Sequence, residues 1–415
     1  MTWDGGGNLR PATAVARRLV GRGHHVGFLG NVSQRDAIES AGCSFRPFST
    51  APDCDSRRAE GALVKDWEVA RRELFGLMVE RFVFGPAALY AADLTAALAD
   101  EAADVVAVDH MLLGALAAAE HARAPCVALW HTVYAPPTVP VPPFGTGLPM
   151  PTTEEEAARQ EEARRRALAA WNTNLDGFNR FRSTLHLPPL RDVFDQYDRA
   201  ERVLVMTSPS FDFAALSGAR LPANVRYVGP QVGSVERPRA GPIHDPPRIL
   251  VSLGTTYQDQ QPLLRRIVDA VATLPVQALV TTGPAVRLEI EPPANVDVVE
   301  WVAHEEVLAD VDLVVTHAGL GTVMAGLAHG VPLVCLPIGR DQFDNAARVL
   351  HSGAGLRISE DANVSDVART IGDALSDAEL TAKARRLARE MTRDTVGDAA
   401  VGQLESIGAE ATGVS

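Results

Sequence analysis

The chain has 415 residues, 46% hydrophobic and 22% charged, with 52 acidic against 39 basic side chains and a formal net charge of −13. That length exceeds one ordinary core and points to two domains of about 200 residues each. The acidic balance argues against a nucleic-acid binder, whose phosphate contacts need a basic face, and disfavours docking on an anionic membrane.

Residues 1–8 are polar and Gly-rich and carry no signal-peptide pattern. They read as the loop after a first β-strand, yet only Met1–Trp3 precede it, where a strand needs about five residues. Either that strand is stunted or the start lies upstream. A βα rhythm follows. Leu9–Gly21 is helix-periodic and stops at Gly21-Arg22-Gly23; His25–Leu29 is a short strand, Ser33–Ala41 a helix and Cys43–Phe48 a strand. Val105–Asp109 (VVAVD), the Ala-rich helix Leu112–Ala122 and strand Pro125–Trp130 continue it. Strands alternating with helices predict parallel sheets covered by helices, an α/β fold.

Two segments interrupt the rhythm. Thr132–Pro151 is Pro-rich and predicts an irregular loop; Glu154–Asn172 predicts a charged helix running on to about Arg182. Both suit either an acceptor pocket or a solvated excursion. After a last strand in VRYVGPQVG, the Pro-rich, polar stretch to Pro247 reads as a linker. New strands are expected at Arg248–Gly254, Gln277–Thr282, Val296–Trp301, Asp312–Thr316 and Pro332–Leu336, and a helical tail over Ser365–Glu405. Cys43, Cys54, Cys126 and Cys335 form no CxxC or Cys/His cluster, so neither a disulfide frame nor a metal site is expected. The apolar stretch 311–339 is broken by His317, His329, Pro332 and glycines, which predicts core strands and a helix with no membrane span. A cytoplasmic protein is expected.

Residues 301–346 are the most informative. Strand DLVVT leads into His317-Ala318-Gly319-Leu320-Gly321-Thr322 and a helix that stops at Gly330. A strand, a Gly-rich turn and a helix aim free backbone N–H groups and the positive helix end at one point, which suits a phosphate. His317 can add a ring donor. A second strand ends at Gly339-Arg340-Asp341-Gln342, so His317, Asp341 and Gln342 share the carboxyl-end rim where such sheets bind ligands. Ser252 and Thr255-Thr256 of the SLGTT turn follow another strand and either face the same cleft or form a structural turn.

This stretch resembles the donor-binding signature of the inverting family 1 glycosyltransferases of the bacterial antibiotic and macrolide type. The resemblance implies a GT-B fold: two Rossmann-like parallel-sheet domains facing an interdomain cleft. It implies an acceptor domain over 1–220, a linker over 221–247, a donor domain over 248–390 and a helix over 391–415 that crosses back. It further implies that Trp301 stacks on the base, that His317, Gly319, Gly321 and Thr322 hold the diphosphate, and that Asp341 and Gln342 bind the sugar. Asn345 matches the Asn of the DQxxNA ending. The chain departs from the family pattern at Ala303-His304, where plant members have Pro-Gln, and at Ala325, where a ribose-binding Glu is expected; dTDP sugars stay open beside UDP sugars.

The catalytic base stays open as well. Where the family carries G-H-x-x-P, this chain has Gly7-Asn8-Leu9-Arg10-Pro11, and asparagine takes no proton at neutral pH. Asp109 matches the carboxylate that orients the missing histidine, and His110 beside it is titratable near neutrality. Asp4 opens on the same rim, and His131 of the acceptor loop is a further candidate. Asp109 and His110 also suit a plain helix start. The leading reading is transfer from a nucleotide-sugar donor to a small hydrophobic or aromatic natural product, with no metal or other cofactor, no nucleic acid and no membrane insertion. A GT-B sugar-nucleotide epimerase or a non-catalytic auxiliary partner are the alternatives, and a homodimer is left open.

Overall fold

The computed structural model describes residues 1–415 except 64, 70, 233–242, 288–290, 395–397 and 413–415. The Pro-rich centre of the expected linker and a short piece of the helical tail therefore lie outside the described residues.

In the N-terminal half, β1 (Gly27–Gly30) pairs in parallel with β2 (Ser44–Pro47). A second parallel set runs β3 (Val106–Asp109), β4 (Cys126–Trp130), β5 (Arg202–Val205) and β6 (Val225–Tyr227). Residues 1–3 bridge the two sets. The Thr2 amide donates to Leu29 O and the Asp109 amide to Met1 O, both at 3.0 Å. Residues 1–3 thus run between the two sets, and the order reverses between them and β3.

The C-terminal half holds β7 (Arg248–Ser252), β8 (Gln277–Thr281), β9 (Val296–Val299), β10 (Leu313–Thr316), β11 (Leu333–Cys335) and β12 (Gly355–Arg357). They form one parallel sheet in the order β9-β8-β7-β10-β11-β12. Ile249–Val251 and Leu313–Val315 are buried on both faces, which is why these strands read as unbroken apolar runs. The order reverses between β7 and β10, and ligand crevices open at the carboxyl ends of strands at such a point.

Helices cover both sheets. Leu9–Gly21 buries Leu9, Ala12, Val15 and Ala16 on one stripe. The helical run Gly76–Asp100 is long and apolar enough to cross a membrane by length and composition. Here it packs against the helix Leu113–Ala122 so closely that a Cβ at Gly114 would fall 1.9 Å from Ala87 O. The single helix expected from Glu154 to Arg182 is two, Glu154–Asn172 and Leu175–Thr184. At the break, the Asn172 side chain bridges to Asp192 and the Val193 amide. The second helix places Arg182, fully buried, 2.8 Å from Glu120.

One apolar cluster runs from Trp3, Val108 and Trp130 of the first half into Val314, Met324 and Leu333 of the second. The last helix, Ala399–Thr412, packs Val401, Leu404 and Ile407 on Val127, Leu129 and Leu204 of the first sheet. Arg22 ties it down through Asp398 at 3.0 Å and Glu405 at 2.8 Å.

Candidate functional site

On the C-terminal side, the turns after β7 and β10 meet at the point of reversal. The His317 ring lies between two glycines: a Cβ at Gly254 would fall 2.8 Å from Nε2, and one at Gly319 2.8 Å from Cε1. Any side chain at either position would push the ring away. The imidazole bonds the Ser252 carbonyl, and burial, helped by the charge of Arg340, pulls its pKa down to about 4. At neutral pH it is therefore a neutral hydrogen-bonding group.

Ala318 takes a left-handed backbone, φ 68°. Its amide donates to the Thr316 hydroxyl at 3.2 Å, and its carbonyl accepts from Asn345 Nδ2 at 2.9 Å. Asn345 also donates to the Asp341 carboxylate at 2.8 Å, so it fastens the His317 turn to Asp341. The helix Leu320–Ala328 starts at Gly319 without a side-chain cap, and Thr322 is buried in its first turn. A first turn without a side-chain cap leaves amides for an anion. A Cβ at Gly321 would meet nothing within 4 Å.

The other donor-side residues differ in availability. Gln342 faces its own turn: Oε1 accepts from the Ile338 and Gly339 amides at 2.8 and 2.9 Å, and Nε2 donates to Gln258. Asp341 stands at the N-cap of the helix Gln342–Ser352, with its pKa raised by burial. Ser252 is buried and Thr255 half-buried. Trp301 is 55% exposed, with the Arg10 guanidinium of the other half 5.8 Å from its ring centre.

On the N-terminal side, Asp109 is buried at the end of β3. One oxygen accepts from the Met111 amide at 3.0 Å and the other from Asn8 Nδ2 at 2.8 Å. His110 Nδ1 lies 3.5 Å and His131 Nε2 3.6 Å from the same carboxylate. His110 stacks on Trp130, ring centres 4.3 Å apart, and burial lowers its pKa to about 4 against the pull of Asp109. His131 is also lowered by burial, and neither of its ring nitrogens has a hydrogen-bond partner. Asp4 is committed elsewhere, accepting from Arg57 at 2.8 Å, Ser33 at 2.6 Å and the Gly6 amide at 3.2 Å. The structure therefore assembles Asn8, Asp109, His110 and His131 and sets Asp4 apart in an ion pair.

Side chains not singled out from the sequence join the halves. Arg340 forks onto Asp66. Asp344 accepts from the Gly145 and Gly147 amides of the Pro-rich loop at 2.6 and 2.7 Å. Arg348 pairs with Asp212 at 2.9 Å, both fully buried. Only Arg340 carried a local signal, its place beside Asp341; the rest depend on contacts between residues distant in sequence.

Residues 265–407 match the family model described as erythromycin biosynthesis protein CIII-like, C-terminal domain. The chain is 31% identical over 421 residues to the 4'-demethylrebeccamycin synthase of Lentzea aerocolonigenes, covering 96% of each. Among solved structures, the glycosyltransferase of kitacinnamycin superposes with a TM-score of 0.73 at 23% identity, over 98% of this chain and 97% of that one. The spinosyn rhamnosyltransferase complexed with thymidine diphosphate superposes with a TM-score of 0.66 at 18% identity, over 96% of each chain. The chain belongs to the family 1 antibiotic-type glycosyltransferases of GT-B fold, enzymes that move a sugar from a nucleotide diphosphate to a small natural-product acceptor.

Proposed function

We propose that dTDP sugars serve as donors at least as well as UDP sugars, and that the acceptor is a small hydrophobic or aromatic natural product. His317 and the first-turn amides of Leu320–Ala328 hold the diphosphate. Trp301 stacks under the base. Asp341 binds sugar hydroxyls, while Gln342 shapes the turn it projects from. Thr322, Ser252 and Thr255 complete the cradle, and no metal is called for. The use of dTDP is supported by Ala325, a buried alanine where the family carries a ribose-binding carboxylate. The similar fold solved with thymidine diphosphate points the same way.

The base in this scheme is the Asp109 carboxylate with His131 and His110 on either side, which takes the acceptor proton as the new bond forms. The observation that carries the reading is the meeting of the two points of reversal. Gly6 of the first loop lies against Thr256 of the SLGTT turn, so near that an added Cβ would sit 2.5 Å from its Cγ2. The loop that carries Asn8 and the turn beside His317 face each other there, which supports one cleft for proton removal and diphosphate binding.

The test has two parts. Mass analysis of reactions with dTDP and UDP sugars and a panel of polycyclic aromatic acceptors should show an acceptor heavier by one sugar. An isomerised donor, or no product with any acceptor, would overturn the reading. In thermal-shift titrations dTDP should stabilise the protein at least as much as UDP at equal concentration. A many-fold preference for UDP would remove the dTDP assignment.

A further inference from the structure

Arg340 precedes Asp341 in a left-handed conformation, φ 54°, that non-glycine residues seldom take. Its guanidinium forks onto Asp66 at 2.8 and 3.1 Å and reaches the Thr256 hydroxyl at 2.8 Å. Asp66 comes from the N-terminal half, and Gln258 donates to the same carboxylate at 3.0 Å. Thr256 belongs to the SLGTT turn, so Arg340 stands on the donor side of the cleft. Its charge reaches His317 and helps keep that ring neutral. His317 is thus a neutral hydrogen-bonding group, and Arg340 is the permanent positive charge beside it.

That charge is needed. When the bond from the anomeric carbon to the β-phosphate oxygen breaks, its electron pair stays on the oxygen and the diphosphate becomes more negative. The acceptor heteroatom supplies the pair for the new bond, and its proton passes to the Asp109 cluster. Stabilisation by fixed donors matters most where such charge develops.

Resting on the donor site proposed above, we infer that Arg340 is the cation that binds the donor diphosphate and that Asp66 occupies it until the donor arrives. A carboxylate and a phosphate present the same pair of oxygens to an arginine fork, so the exchange keeps the guanidinium in place. The cavity beside the pair, lined by Asp66, Trp67, Gln258 and Gly339, holds about 110 Å³. The exchange needs only that the Asp66 carboxylate give way at the guanidinium as the phosphate arrives. The neighbouring Trp67 ring stands edge-on to Tyr257, 4.7 Å between centres.

Calorimetric binding of dTDP and UDP to wild type and variants tests this. Arg340→Gln should weaken both by roughly tenfold or more, the scale of a lost charge-assisted contact. It should also lower kcat as well as raise KM, since the charge grows in the transition state. Asp66→Asn should tighten binding, and should give no gain in the Arg340→Gln background. Arg340→Lys keeps the charge without the fork; binding between wild type and the Gln variant is expected, and it decides the matter if the Gln variant does not fold. Wild-type affinity in Arg340→Gln, or in Arg340→Lys where the Gln variant does not fold, would overturn the inference. So would weakening by Asp66→Asn, which would make the pair a strut between the halves. His317→Ala separates the two readings. If it too binds like wild type, the donor site itself is misplaced; if it alone loses affinity, only the role of Arg340 falls.

Discussion

Asp109 sits where the family's histidine would find its carboxylate, and here it holds Asn8 instead, at 2.8 Å. Asn8 cannot receive a proton, so its amide anchors one oxygen of the carboxylate while His131 stands 3.6 Å from that same oxygen with both ring nitrogens unpartnered. Asp109→Asn and His131→Ala should each lower kcat by roughly 10²-fold or more, with Asn8→Ala milder. Asn8→His would return an imidazole to the side of Asp109 and should recover activity in the His131→Ala background. Wild-type turnover in both Asp109→Asn and His131→Ala would move the base to another group. The candidate residues were legible because His317, Asp341, Gln342 and Asn345 fall in one ordered run. Their actual partners were not: sequence spacing cannot show that Asn345 ties the His317 turn, that Gln342 faces backward, or that Arg57 occupies Asp4.

Among the elements, Leu9–Gly21 matches its expected bounds at both ends, since its apolar stripe and Gly-Arg-Gly stop are both local signals. Most strands are a residue or two shorter than their apolar runs, because a strand ends where its neighbour ceases to pair while the apolar run continues into the core. The break after Asn172 was invisible, as neither glycine nor proline marks it and a contact with residues 192–193 accompanies it. The helix Gln342–Ser352 shows what such contacts are worth. Its Arg348 is fully buried against Asp212, which also accepts from the Tyr134 amide at 2.6 Å and the Tyr227 hydroxyl at 3.0 Å. Asp212→Ala would leave a buried guanidinium uncompensated and should cost about 3–5 kcal/mol of stability. Urea unfolding would read the loss; a change of less than about 1 kcal/mol would mean that water reaches the site and the pair contributes little.

For the molecule as a whole, acid should be destabilising. Burial holds His110, His304 and His317 down to about 4 from an ordinary 6.5. Between those values the unfolded chain takes up protons that the folded chain refuses, so stability falls as pH drops through that window. Asp344 works in the opposite sense. Burial raises it from 3.8 to about 6, so the folded chain keeps a proton there that the unfolded chain releases. Burial raises Asp341 and Asp198 in the same sense as Asp344, but the three histidines, with His131 lowered beside them, dominate between pH 7 and pH 5. The urea midpoint should therefore be lower at pH 5 than at pH 7; a flat or rising midpoint would show that these rings are hydrated. Fold class and the two-sheet layout could be read from strand and helix alternation. The continuous apolar cluster across both halves could not, since it is made of residues that look like ordinary core in either.

The return of the helix Ala399–Thr412 to the first sheet bears on recombination between relatives. The polypeptide's order and its packing disagree: the end of the chain belongs, by contact, with the beginning. A chimera with a single crossover in the linker would seat one parent's Val401, Leu404 and Ile407 against the other parent's Val127, Leu129 and Leu204. Two crossovers, the second ahead of Asp398, keep that seam native and carry the Arg22 contacts with it. Acceptor range would then be inherited as a discontinuous module, beginning and end together, and donor choice as the segment between them.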